Sequence, residues 1–142
     1  MPADPNVLST RLPRDTRRVL ILRNPTAGRR GRQQRVQTLQ EELQTLGLEA
    51  TCFTDIKALL ERAERDRADG ALRAVVAAGG DGTVGLLANE ISADTPLAVL
   101  PLGTENLLAK YHGQRRGARP LAKMLIDGDT KKFDAGRANG RL

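Results

Sequence analysis

The chain has 142 residues, with 23 Lys and Arg against 17 Asp and Glu for a net charge of +6, and is 39% hydrophobic and 2% aromatic. That is the length of one domain with a real core. It is too short for two domains and too apolar for a disordered chain, and no apolar run nears the roughly 20 residues of a membrane-spanning helix. A single cysteine, Cys52, and a single histidine, His112, exclude a disulfide framework, a cysteine metal cluster and a multi-histidine site.

The opening MPADPNVLSTRLPRDTRR has no apolar h-region, so a cytoplasmic location is expected. Residues 1–16, with Pro2, Pro5 and Pro13 and no periodicity, read as a flexible leader, and 17–142 as the domain. Val19–Leu22 is a buried strand, broken at once by NPTAG. Val36, Leu39, Leu43 and Leu46 then recur at helical spacing until Gly47. Leu48–Phe53 is a second strand, and Thr54 or Asp55 caps a helix whose apolar face is Ile56, Leu59, Leu60 and Ala63. After Gly70 comes a third buried strand, Leu72–Ala78, then GGDGT and a short helix from Val84 to about Ile91. SADTP leads to a fourth strand, Leu97–Leu100. PLGTEN, a helix to about Tyr111, a basic connector (Gln114–Arg119), a helix to Ile126 and the tail DGDTKKFDAGRANGRL complete the chain.

Strands apolar on both faces, alternating with amphipathic helices, predict a three-layer α/β/α fold around a mostly parallel sheet. In such sheets ligands bind beyond the carboxyl ends of the strands, where the strand order switches direction. Three of the four expected strands end in a glycine-containing loop, and that coincidence is the main functional signal.

In GGDGT, Gly79, Gly80 and Gly82 allow positive φ and close backbone approach, and the N–H groups of the turn and the following helix start suit phosphate. An aspartate there repels phosphate unless a cation or proton intervenes. Asp81 therefore suggests Mg²⁺ coordination or general-base work on a hydroxyl; the bland alternative is a helix N-cap. In the first loop (Asn24, Pro25, Thr26, Ala27, Gly28), proline fixes the turn, Asn24 bonds across it, and Thr26 and Gly28 offer a hydroxyl and open backbone. Arg29, Arg30 and Arg32 follow, with charge to offset a polyphosphate. Thr104 in PLGTEN is a phosphate-facing hydroxyl or a helix cap.

NPTAG, GGDGT and PLGTEN at this spacing resemble the catalytic domain of the diacylglycerol kinase family, which includes bacterial lipid kinases and sphingosine kinases; GGDGT is shared with NAD kinases. The resemblance covers about Arg18 to Leu142. It implies the N-terminal-domain fold of those kinases and ATP-dependent phosphorylation of a lipid hydroxyl with Mg²⁺. Carried over by position, Asn24 to Gly28 and Thr54 would touch the nucleotide. Gly79, Gly80, Asp81, Gly82 and Thr83 would line the phosphates and metal, Asp81 being the catalytic or metal-linked carboxylate, and Thr104 and Asn106 would close the site.

The pattern departs from the family in places. Val84, Gly85, Leu86 stand where V-N-E is usual, and Glu105 precedes Asn106 where a glycine is usual. Asp134 in KKFDAG matches the segment that in the family crosses toward a β-rich second domain, and that domain is expected to be absent from this chain. The chain is therefore expected to bind nucleotide but to turn lipid over poorly, as an excised domain, a truncated product or a protein completing its site with another chain. The partners implied are ATP, a lipid such as diacylglycerol, an anionic membrane in transient contact and a second copy of the chain. Rival readings are a non-catalytic nucleotide- or phosphate-binding module and an NAD kinase-like activity. Nucleic acid is not expected, since only Phe53, Tyr111 and Phe133 could stack on bases. His112 reads as a helix C-cap, Cys52 as a small core residue and Arg115–Arg119 as a solvated connector or a headgroup contact.

Overall fold

A computed structural model describes residues 9–23, 30–92, 94–102 and 117–131. The NPTAG loop, the helix expected up to Tyr111, His112 and the tail with Asp134 lie outside the described residues. Four parallel strands form the main sheet: β2 (Arg18–Arg23), β3 (Glu49–Phe53), β4 (Leu72–Gly79) and β5 (Leu97–Pro101), in the order β3-β2-β4-β5. Helices α1 (Arg30–Thr45), α2 (Ile56–Ala68) and α3 (Asp81–Glu90) connect them, and α4 (Ala118–Asp127) follows β5. The expected three-layer α/β/α fold is the one observed.

The alternation of strand residues sorts the core in two. Val19 and Ile21 of β2 and Ala74, Val76 and Ala78 of β4 pack with Val36, Leu39 and Leu43 of α1 and Leu121, Ala122 and Leu125 of α4. Leu20 and Leu22, with Val75 and Ala77, pack on the other side with Leu59 and Ala63 of α2 and Val84 and Leu87 of α3. A buried aliphatic side chain stabilises the fold by roughly 1.5–3 kcal/mol, so continuous apolar strands need exactly this double cover to stay out of water. The winding reverses after β3, which places the switch in strand order between β2 and β4.

Several boundaries differ from the sequence expectation. Leu46, taken as the last rung of the α1 stripe, is 42% exposed, because α1 ends at Thr45 and Gly47 turns the chain away with φ +87°. Asp55 caps α2, accepting from Lys57 N at 3.2 Å, and Thr54 stays exposed outside the helix. Helix α3 begins at Asp81, three residues earlier than expected, since burial of Val84 and Leu87 holds the glycine-rich first turn helical. Arg119 belongs to α4 and not to a connector, and pairs with Glu42 of α1 at 3.2 Å.

The second half of the stretch read as a flexible leader is built into the fold. Ser9–Arg11 (β1) pairs antiparallel with Asp129–Lys131 (β6), and Leu12 N donates to Gly128 O at 2.8 Å. Nearby, at the amino ends of the main strands, Asp66 is 1% exposed and accepts from Arg18 Nη1 at 2.7 Å and Arg62 Nε at 3.1 Å. Hydrogen bonding by Asp66 is the main cause that raises the Arg18 pKa. Arg73 is also buried there, and burial lowers its pKa. Among the described residues no helix is long and apolar enough to cross a membrane.

Candidate functional site

The carboxyl ends of the four strands are nearly flush. Phe53 ends β3 beside Leu22, Arg23 ends β2 beside Ala78, and Gly79 ends β4 beside Pro101, the last residue of β5. Every loop leaving this edge therefore starts within about one residue of the same level. Residues 24–28 leave β2 next to GGDGT, at the switch in strand order, and Leu102, leaving β5, donates its N–H to Gly79 O at 3.2 Å. Thr54 leaves the end of β3 on the far side of β2. Thr104, Glu105 and Asn106 lie outside the described residues, as do Asn24 to Gly28.

Within GGDGT the glycines use one of the two freedoms expected of them, the missing Cβ, and not the other, positive φ. None of Gly79, Gly80 and Gly82 has a positive φ; Gly80, for instance, sits at φ −99°, ψ −166°, which any residue adopts. Their contribution is space. A Cβ on Gly79 would lie 2.5 Å from Thr83 Oγ1 and 3.0 Å from Thr83 Cβ, so the threonine folds back over the strand end only because that position has no side chain. A Cβ on Gly80 or Gly82 would meet nothing within 4 Å, and Gly82 is exposed. Among the described residues, nothing covers the backbone at these two positions within that distance.

Helix α3 starts here without a side-chain cap. Gly80 is its N-cap residue and offers no side-chain acceptor, so Asp81 occupies the first helical position and is not the N-cap. The first-turn N–H groups and the positive end of the helix dipole thus face the carboxyl edge without a side-chain hydrogen bond from the cap. The backbone brings Gly79, Gly80, Asp81, Gly82 and Thr83 into one turn beside the ends of β2 and β5. The side chain of Asp81 lies outside what is described. Among the described residues no group of three His, Cys, Asp or Glu side chains could hold a metal ion.

Gly85 and Leu86, the departures from the family pattern, lie further along α3. Leu86 is 41% exposed, and the Gly85 carbonyl accepts from Asn89 Nδ2 at 2.7 Å. Cys52, half-buried against the α1 and α4 core, has its pKa raised by burial despite the opposing charge of Arg23. That is the environment of a packing residue and not of an activated nucleophile.

Sequence reasoning passed over one part of this edge. An open groove of ≈ 560 Å³ runs between α1 and the start of α4, lined by Gln34, Arg35, Thr38, Gly117, Arg119 and Pro120. Arg35 Nη1 reaches the Pro101 carbonyl at 3.5 Å, so the groove opens beside the end of β5. Arg35 was visible only as one member of an arginine cluster, and its reach to Pro101 at the end of β5 has no local signal.

The family described as the diacylglycerol kinase catalytic domain matches residues 18–138 of this chain. The chain is similar to the diacylglycerol kinase of Bacillus subtilis (strain 168), 29% identical over 130 residues that cover 88% of this chain and 43% of that one. It is likewise 30% identical over 130 residues to the diacylglycerol kinase of Staphylococcus epidermidis (strain ATCC 12228 / FDA PCI 1200), covering 88% and 41%. A solved structure of a proposed diacylglycerol kinase from Bacillus anthracis str. Sterne shares the fold, with a TM-score of 0.58 at 22% identity over 78% of this chain and 39% of that one. The chain spans about two fifths of the length of these relatives.

Proposed function

The chain belongs to the diacylglycerol kinase catalytic domain family, and from that premise we propose that it is the nucleotide-binding part of a lipid kinase, transferring a phosphoryl group from ATP to a lipid hydroxyl such as that of diacylglycerol. The observation that carries the reading is the bare glycine turn: Gly80 and Gly82 leave open space in front of a helix start that has no side-chain cap, flush with the ends of β2 and β5. Phosphoryl transfer asks mainly for positioning and for neutralising charge on the phosphates, which backbone N–H groups at such a helix start supply. Among the described residues, no side chain comes within 4 Å of the space a Cβ on Gly80 or Gly82 would take, which supports close approach of a phosphate to the backbone there.

In this reading Gly79 to Thr83 and Asn24 to Gly28 cradle the phosphates from adjacent strand ends, and Thr54, Thr104 and Asn106 border them. Asp81 is the residue that would hold Mg²⁺, which when bound offsets charge on the phosphate oxygens. The lipid substrate brings the protein into transient contact with an anionic membrane from the cytoplasm, and a second copy of the chain is a further proposed partner.

Isothermal titration with ATP tests the nucleotide site. Heat that requires Mg²⁺ and disappears in Asp81→Ala is the expected result; no heat at millimolar ATP, or heat indifferent to Asp81, overturns it. A second reading, nucleotide binding without transfer, is favoured by the exposed Leu86 and by Gly85 where the family pattern carries a polar pair. Radiolabelled phosphate appearing in dispersed diacylglycerol decides for the kinase, and binding without transfer decides for the module.

A further inference from the structure

The opposite edge of the sheet holds a buried cation that nucleotide chemistry does not use. Arg73, near the start of β4, is 3% exposed, and among the described residues no carboxylate pairs with it. Its partners are oxygens from two segments far apart in the sequence. Nε donates to Leu125 O at 2.6 Å and Nη2 to Ile126 O at 3.0 Å, in the last turn of α4. Nη1 donates to Pro13 O at 2.9 Å and to Thr16 O and Oγ1, both at 3.1 Å. The negative end of the α4 dipole replaces a counter-ion. Next to it Gly128, at φ +74°, leaves no room for a side chain, since a Cβ would lie 2.5 Å from Arg73 Nη2 and 3.3 Å from Leu12 Cβ.

Among the described residues, the β1–β6 ribbon beside these segments has three register pairs, Ser9 with Lys131, Thr10 with Thr130 and Arg11 with Asp129. A two-stranded ribbon of that size is marginal by itself. Its roots are the two segments that Arg73 grips. If residues 13–16 leave, a buried guanidinium loses its Nη1 acceptors, and an unsatisfied buried charge is far too costly to keep. The side chain must then turn to water, and Leu125 and Ile126 lose their donors as well.

We propose that Arg73 is a latch that makes the N-terminal segment 9–16 and the exit strand β6 order each other, so that pulling one away releases the other. The coupling is reciprocal, as any shared-partner coupling must be. It is independent of the nucleotide reading, and it makes the segment before the domain a control on the strand that leads into KKFDAG.

Hydrogen exchange read by mass spectrometry on the full chain tests this. In Arg73→Met, peptides from 9–16 and from 124–131 are both expected to exchange at least about tenfold faster, the factor that one lost hydrogen bond to a charged group represents, while peptides from β2 and β5 keep their protection. Gly128→Ala, which pushes on the guanidinium from the other side, should loosen the same two peptides. Thr16→Val is the milder variant and carries the test if the others fail to fold: it lies in the first segment, yet exchange in 124–131 should rise. If only the segment bearing the substitution loosens, or neither does, there is no latch.

Discussion

The two edges of the sheet use polar groups in opposite ways. At the amino ends of the strands, Asp66 is held by Arg18 and Arg62, and Arg73 by backbone carbonyls and the Thr16 hydroxyl, so each buried charge described there has its partners within the fold. At the carboxyl ends, GGDGT leaves the backbone at Gly80 and Gly82 uncovered among the described residues and α3 without a side-chain cap. A closed polar network contributes to holding the fold, whereas an open one is a place for something else to complete. Substitutions at the first edge should therefore move stability without binding, and substitutions at the second should move binding, with or without stability.

The largest effect is expected from Asp66→Ala, which strands two half-exposed arginines. About 2–3 kcal/mol of stability should be lost in a denaturant titration, with ATP affinity unchanged in the remaining folded protein. An equal loss of affinity would erase the distinction between the edges. Gly79→Ala comes next, at about 1–3 kcal/mol from the clash with Thr83, and should weaken nucleotide binding too. Adding Thr83→Ala should restore part of the stability, because Oγ1 is gone while Thr83 Cβ still lies at 3.0 Å.

Gly82→Ala sharpens the contrast most. The position is helical and exposed, so alanine should add up to about 1 kcal/mol, yet calorimetry should show weaker ATP binding. Stability and affinity moving together would argue that the open turn is not a ligand surface. A smaller effect concerns Cys52. Its pKa is raised, so its stabilising contribution is whole below the unfolded thiol value and is lost as pH climbs through the folded one. Labelling by a thiol reagent should stay slow at pH 8 and quicken only at higher pH.

The smallest effect lies at Asp94, whose pKa is lowered by the Ser92 hydroxyl first and Arg67 after it. Its contribution is present above the unfolded carboxylate value and lost as pH falls through the lowered one. Being exposed, Asp94→Asn should barely shift the melt at neutral pH.

What the sequence made legible follows from local physics. Val19–Leu22 and Leu72–Ala78 announce strands covered on both faces because burial leaves no other reason for such runs, and parallel strands then require the helices between them. The place of GGDGT was legible too, because a glycine cluster directly after a buried strand marks the turn from that strand into a helix, and Gly79 ends β4 where α3 begins at Asp81. The β1–β6 ribbon was not legible. Ser9–Arg11 and Asp129–Lys131 carry no alternation, and their pairing depends on Arg73, which is distant from both in the sequence and hidden in an otherwise apolar strand. Asp66 escaped notice for the same reason: on the helix pattern alone a charged residue reads as solvated, and only the meeting with Arg18 of β2 explains its burial.

The fold of Thr83 over Gly79 divides the glycines of the turn into two kinds. At 79 a larger residue collides with the Thr83 side chain, so while threonine stands at 83 the position would stay glycine even in a relative that had lost every ligand. Gly80 and Gly82 have no such internal guarantor, and drift would be free to replace them once nothing bound there. In a set of diverging sequences, then, 79 would record only that the domain still folds, while 80 and 82 would record whether its edge is still in use.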